Sequence, residues 1–191
     1  KNCIYICESL RKLNYEINEI SFYVFSTENW KRNSSEIKDL FKLIEQFYTE
    51  FKDKANKNNL KIRHYGSRKK LSKNLLKIID DVTETTKKNK GTTVNLLFNY
   101  GSRQEINDAI KKIRTTKNPS SNLRDYLYVP ASRDPDLIIR TGGEMRLSNF
   151  MLWQSAYAEL YFTKVLWPDF KINNLNRAIN NYLRRTRKLG K

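Results

Sequence analysis
Glu19 to Ser26, EISFYVFS, is a nearly continuous apolar run of strand length. A strand with one wet face would alternate, so this run suits a central parallel strand covered on both faces. The next segment has the other period. Between about Ser34 and Lys54, the side chains Ile37, Leu40, Phe41, Ile44, Phe47 and Phe51 share one helical face. Asn33 can cap that helix, with Glu36 three residues on. Strand then helix, each with its own signature, is the unit from which the rest of the chain is built.

The unit repeats. Leu60 to Tyr65 reads as a short strand ending at Gly66, and residues 69–88 as a helix through Leu71, Leu75, Ile78, Ile79 and Val82. Thr93 to Phe98 is a strand. The helix after it carries Ile106, Ala109, Ile110 and Ile113, with Ser102 and Glu105 at capping-box spacing. Asp136 to Arg140 and Glu159 to Phe162 are two more strands, and Asn173 to Arg185 a last helix with Leu175, Ala178, Ile179, Tyr182 and Leu183. Before the first strand, residues 2–13 place Cys3, Ile6, Leu10 and Leu13 on one helical face, and Asn14 to Asn18 read as a turn. Thr115 to Asp125 is the most loop-like stretch. Alternation of this kind predicts an α/β fold, a mainly parallel central sheet flanked by helices. At 191 residues the chain is most simply one domain, large enough for a substantial core.

Three stretches at strand ends carry chemistry. In open α/β sheets ligands bind at the C-terminal ends of strands. Thr27 to Arg32 follows the first strand there, and Asn99-Tyr-Gly-Ser-Arg103 ends another. The third and richest stretch is Asp134 to Phe170. Arg140 ends a strand, Gly142 and Gly143 allow close backbone approach, and Arg146-Leu-Ser148-Asn149 reads as a helix start capped by Ser148 or Asn149. Two arginine forks and a helix N-terminus in one short span suit an anion with several oxygens. Glu159 could hold Mg²⁺ beside a diphosphate, because Mg²⁺ takes one or two carboxylates plus phosphate oxygens. Spacing alone leaves the alternative open that these arginines are ordinary solvated side chains.

Composition narrows the classes without choosing one. Thirty-seven Lys and Arg against 20 Asp and Glu give a formal charge of +17, which attracts nucleic acid, anionic membrane or phosphorylated substrates. Lys is spread along the chain rather than clustered, so the charge selects no partner, and no known nucleic-acid reader motif is visible. No apolar run is long enough to span a bilayer, and no signal peptide opens the chain. Cys3 and Cys7 are too few for a disulfide framework or a metal site and read as buried thiols. His64, the only histidine, lies in a strand with no second ligand nearby and reads as structural.

Together these stretches resemble the signature of the cis-prenyltransferases. PDLIIRTGGEMRLSNFMLWQSAYAELYFTKVLWPDF matches that family's longest motif, FSTENWKR its FSxENWxR box, and NYGSR its NYGGR box, in the family's order. The resemblance implies a Mg²⁺-dependent transferase adding isopentenyl diphosphate to farnesyl diphosphate with new cis double bonds. The product would be a long-chain polyprenyl diphosphate, most simply undecaprenyl diphosphate, the lipid carrier of cell-wall synthesis. By motif position Arg140, Arg146, Leu147 and Ser148 would bind isopentenyl diphosphate, and Glu159 would share the Mg²⁺. Ser26, Asn29 and Arg32 would order substrate and support proton removal. Trp30 would pack at the substrate, with Thr27 and Glu28 in the same binding loop. Also implied are a hydrophobic tunnel between sheet and long helices, with Val24, residues 37–51 and 93–98 as candidate linings, a homodimer, and a cytoplasmic enzyme with peripheral contact to the membrane's inner face. No nucleic acid is expected.

The departures are specific. The family's first motif, with its Asp-Gly-Asn-x-Arg loop and main metal carboxylate, has no counterpart in residues 1–191. The expectation is that the natural protein carries it upstream and that 1–191 alone has a partly open site. A non-catalytic partner subunit of a related synthase is the first competing reading, and a basic nucleic-acid-binding domain, motivated by the charge of +17 alone, is the second. Asn33 stands where Pro is common, Ser102 where a second Gly is usual, and Lys188 in the basic tail where Arg is frequent.

Overall fold
The computed structural model describes residues 1–13, 15–129 and 131–186. The expected turn at Asn14 and the likeness of the tail at 187–191, Lys188 included, lie outside the described residues. The chain divides into two compact units, Ile17–Ser132 and Lys1–Glu16 with Arg133–Lys191.

In the first unit, β1 (Glu19–Ser26), β2 (Lys61–Tyr65) and β3 (Thr93–Tyr100) form a parallel sheet of order β1-β3-β2. Residues of β3 are buried along its whole length, with Val94, Leu96, Leu97, Phe98 and Tyr100 at 0% exposure. The helices α2 (Ser34–Lys57) and α3 (Lys73–Thr85) pack on one another and on β2. They contribute Ile44, Tyr48, Phe51, Ala55, Leu75, Ile79 and Val82 to the core. Their starts obey local chemistry: Asn33 Oδ1 accepts from Ser35 N–H, and Ser72 Oγ accepts from Leu75 N–H. Glu36 does not close a capping box, because its carboxylate accepts from Arg32 instead, at 2.9 Å.

Two expectations change here. The most apolar run is not the central strand: β1 lies at the sheet's edge and β3 takes the centre. Near the end of β1, Phe25 packs against Trp30 and Phe41. The helix α4 (Ser102–Thr115) is capped at Gly101, not Ser102, and it buries Ser102, Glu105, Asp108 and Ala109 while Ile110 is exposed. Glu105 faces inward because its carboxylate accepts from Tyr100 Oη at 2.7 Å and from Tyr128 N–H at 3.1 Å. Paired burial of a carboxylate outweighs the simple apolar stripe.

In the second unit, β4 (Leu137–Arg140) and β5 (Glu159–Phe162) pair in parallel, and α5 (Ile172–Leu183) packs on both. The helix α1 (Asn2–Ser9) is shorter than read from sequence and passes into a 3₁₀ turn at Leu10–Lys12. Its buried apolar side chains are Ile4, Ile6, Cys7 and Leu10, while Cys3 is only half-buried. Both thiols are free, and burial raises the pKa of each, that of Cys3 to about 11.

His64 lies in β2 with its Nε2 3.0 Å from the Phe98 carbonyl oxygen. Burial pushes the imidazole pKa down to about 4. The folded state therefore holds the neutral ring where the unfolded chain, with the usual value near 6.5, already takes up a proton. Stability from this group is present above about pH 6.5 and is lost as pH falls toward 4. Urea unfolding of the protein at pH 7 and pH 5 should show a lower midpoint at pH 5. His64→Gln should flatten that difference; an unchanged difference would rule the histidine out as its cause.

Candidate active site
The sequence-predicted residues fall into two sets, one in each unit. In the first unit, β1 delivers Ser26 into a 3₁₀ turn, Thr27–Lys31. Ser26 N–H donates to Asn29 Oδ1 at 2.9 Å while the Ser26 side chain accepts from the Asn29 backbone, so the two side chains close the turn on itself. Thr27 Oγ1 donates to Glu28 at 3.2 Å. Arg32 and Glu36 form an exposed i,i+4 pair. Pairs of this type contribute a few tenths of a kcal/mol, about 0.3–0.5. The Arg32 guanidinium is therefore available to exchange Glu36 for a stronger anion.

Trp30 is held far more firmly. Its Nε1 donates to Asn99 Oδ1 at 2.7 Å. Its ring packs edge-to-face with Phe25 and Phe41 at centroid distances of 5.5 and 5.3 Å. Phe98 completes the cluster, 5.5 Å from Phe25 and 5.6 Å from Phe41. Four rings from β1, the turn, α2 and β3 thus build an aromatic wall at the C-terminal end of the sheet.

Asn99 was not among the predicted site residues, although its motif box was. It is 3% exposed, has φ of 55°, and spends its whole amide on neighbours. Oδ1 takes the Trp30 indole, and Nδ2 donates to the carbonyls of Ser67 and Lys69, each at 2.8 Å. The signal was present in sequence, since Asn is the non-glycine residue that best tolerates left-handed backbone at a turn.

In the second unit the turn region after β4 replaces the expected helix. Ser148, Asn149 and Met151 have φ of 49°, 65° and 43°, and a right-handed helix cannot run through such residues. Residues 141–158 are turns and bends, so no helix N-terminus faces an anion there. The N–H groups of the two glycines are engaged within the turn. Gly142 N–H donates to Val165 O and Gly143 N–H to Thr163 O, both at 2.9 Å, with φ of 86° and 82°. Arg140, half-buried at the end of β4, has no carboxylate partner among the described residues. Arg146 and Ser148 are exposed, Leu147 is half-buried, and the Arg146 guanidinium pairs with Glu144 two residues before it.

Glu159 stands elsewhere on the ribbon. It opens β5 in register with Leu137, whereas Arg140 is level with Phe162. Three residues of strand separate the two levels by roughly 10 Å. Glu159 Oε2 accepts from Arg185 Nη1 at 2.5 Å, and Arg185 also donates to the Leu160 carbonyl and to Asn181. A carboxylate fits Mg²⁺ in donor type, and Oε1 makes no hydrogen bond among the described residues. The fit therefore extends to one oxygen of one side chain.

The family model described as "Putative undecaprenyl diphosphate synthase" matches residues 3–190. The chain belongs to this family, the cis-prenyltransferases. An isoprenyl transferase of Leptospira interrogans is 44% identical over 188 residues, covering 93% of this chain and 78% of its own. One from Thermotoga maritima is 43% identical over 188 residues, covering 93% of this chain and 79% of its own. Among solved structures, a "probable undecaprenyl diphosphate synthase" from Campylobacter jejuni has a TM-score of 0.87 at 35% identity, covering 100% of this chain and 90% of that one. Lavandulyl diphosphate synthase from Lavandula x intermedia, in complex with dimethylallyl diphosphate, has a TM-score of 0.90 at 28% identity, covering 100% and 85%. This chain shares with those structures a parallel sheet flanked by helices, and the prenyltransferase class of the family is that of this chain.

Asn99→Ala would leave the Trp30 indole and two loop carbonyls without their partner. Unsatisfied buried groups cost about 1–3 kcal/mol. The variant should unfold at lower urea and shift the tryptophan emission to the red. Unchanged emission would mean that the Phe25 and Phe41 rings alone fix Trp30.

Proposed function
We propose that this cis-prenyltransferase condenses isopentenyl diphosphate onto farnesyl diphosphate and makes a long-chain cis-polyprenyl diphosphate, undecaprenyl diphosphate in the simplest case. The observation that carries the reading is Arg140, a half-buried guanidinium at a strand end whose charge no carboxylate among the described residues balances. A planar fork in that position suits the paired oxygens of a diphosphate. Arg146 can leave Glu144 for the same anion, since an exposed pair of this kind is weak. Ser148 adds a hydroxyl donor beside it, and Leu147 an apolar contact for the isopentenyl carbons.

The aromatic wall suits the other partner. Half-buried Trp30 and Phe41, backed by the buried rings of Phe25 and Phe98, would offer a prenyl chain an apolar surface at the end of the sheet. A tunnel between sheet and helices, with α2 along one side, is part of this proposal. Ser26, Asn29 and Arg32 sit at the rim of that wall. There they would order the allylic diphosphate and receive, through its oxygens or bound water, the proton that the isopentenyl unit loses. Mg²⁺, held in part by Glu159, would supply charge neutralisation to the leaving diphosphate.

Two further readings belong to this proposal. The second unit exposes Leu152, Trp153, Tyr157, Leu166 and Trp167, a set suited to a second copy and hence to a homodimer. No helix among the described residues is long and apolar enough to cross a membrane. With a lipid product and a charge of +17, a cytoplasmic enzyme in peripheral contact with the anionic inner face is the setting we infer.

Titration calorimetry with isopentenyl diphosphate tests the arginines. Arg140→Ala or Arg146→Ala should each weaken binding by about 1.5–3 kcal/mol, the worth of a charge-assisted hydrogen bond. Equal affinity in both variants would remove them from the site. Product analysis from farnesyl and radiolabelled isopentenyl diphosphate, with and without Mg²⁺, tests the reaction itself; no extractable polyprenyl product would favour the partner-subunit reading. In the same assay Glu159→Gln should raise the Mg²⁺ concentration needed for half activity. An unaltered Mg²⁺ dependence would leave Glu159 only its role as the anchor of Arg185.

A further inference from the structure
Between β2 and α3 runs a short strap, Gly66 to Lys70, that is built to stay in place. A side chain at Gly66 would meet the Phe98 carbonyl oxygen at 2.1 Å, so only glycine lets the strap cross β3 this closely. Ser67 N–H donates to Asn99 O at 3.0 Å, Asn99 Nδ2 returns bonds to Ser67 O and Lys69 O at 2.8 Å, and Lys69 N–H closes on Ser67 Oγ at 3.3 Å. The strap then ends on Lys70 in the left-handed region, with φ of 65°. Backbone of this kind in a non-glycine residue persists where surrounding bonds over-determine it, and such residues gather at functional sites.

Three consecutive cations ride on this strap, and they are not equivalent. Arg68 is committed to Asp80 through two bonds of 2.8 Å. Lys69 has Asp108 at 3.8 Å. Lys70 has no carboxylate partner among the described residues. Its ammonium instead lies over the Trp30 ring, 5.9 Å from the centroid, at the open side of the aromatic wall. The strap thus sets one unneutralised cation at the rim of an apolar surface. A molecule with an anionic head and an apolar tail matches that arrangement, head to ammonium and tail to rings.

We propose that Lys70 is a substrate-binding residue that receives the diphosphate of a prenyl diphosphate whose tail lies on the Trp30 wall, an assignment that rests on the prenyl-transfer reading of the site. The aromatic wall favours the longer allylic substrate over isopentenyl diphosphate as the occupant.

Titration calorimetry of the whole chain with farnesyl diphosphate, inorganic pyrophosphate and farnesol separates head from tail. Lys70→Gln should weaken farnesyl diphosphate and pyrophosphate by about tenfold, the effect of losing one charge-assisted contact. Farnesol binding should not move, and Lys70→Arg should restore most of the loss. Lys88→Gln, at another exposed lysine, should change nothing and so controls for net charge. Equal affinities in wild type and Lys70→Gln would overturn the assignment. So would an equal loss in Lys88→Gln, or a wild-type chain that binds neither diphosphate. If diphosphate binding depends on Lys70 but no prenyl product forms in the transfer assay, the binding assignment stands and the reaction reading falls.

Discussion
One buried amide holds the first unit's working end together. Asn99, next to last in the central strand, has left-handed backbone, and its side chain ties two separate pieces of chain to that point through three bonds. The Trp30 indole, the Ser67 carbonyl and the Lys69 carbonyl come from the turn after β1 and the strap after β2. Each would be an unsatisfied polar group in a dry place without it. The amide is in turn steadied by its neighbours in sequence. Tyr100 bonds Glu105, and Glu105 bonds the backbone of Tyr128. Burial pushes the phenol pKa of Tyr100 upward, and the adjacent carboxylate adds to that, so the hydroxyl remains a donor and the carboxylate its acceptor. The network fixes the strand end without any contribution from a flexible surface group.

The fold was legible because its signals are local and redundant. β1 and β5 fall where their apolar runs place them, and β2, β3 and β4 within a residue or two. The periodic stretches became α2 to α5, with small shifts at their ends. What local pattern could not give was position within the sheet. An apolar run reports how much surface a strand buries, not whether another strand or a set of rings covers it. In this sheet β1 is an outer strand, and its Phe25 packs against Trp30 and Phe41 rather than against another strand's side chains alone. The α4 face misled for the converse reason, because Glu105 and Asp108 are buried with tyrosine partners that lie 5 and 20 residues away.

The candidate residues were chosen from their motif positions, and their arrangement is something that only the fold supplies. The Arg146–Asn149 stretch has the composition of a helix start, with Ser and Asn as caps, yet those same residue types also tolerate left-handed backbone. Three such residues in close succession turn the chain instead. Gly142 and Gly143 have positive φ, as their type suggested, but their N–H groups belong to Val165 and Thr163. Glu159 and Arg140 are neighbours in a motif and occupy opposite ends of a short ribbon, a separation that only strand register reveals.

The place of β3 in the sheet has a consequence for how the chain acquires its structure. Its partners Glu19 and Lys61 precede Thr93, the residue both pair with, by 74 and 32 positions (93 − 19 and 93 − 61). Neither outer strand has a partner strand in this sheet until the middle one emerges, and two helices must be made in the interval. Pairings so distant along the chain give a high contact order, which slows folding. During synthesis β1 and β2 are therefore made before the strand that both pair with in this sheet. Closure of the sheet by β3 and setting of the Asn99 amide become one late, cooperative event.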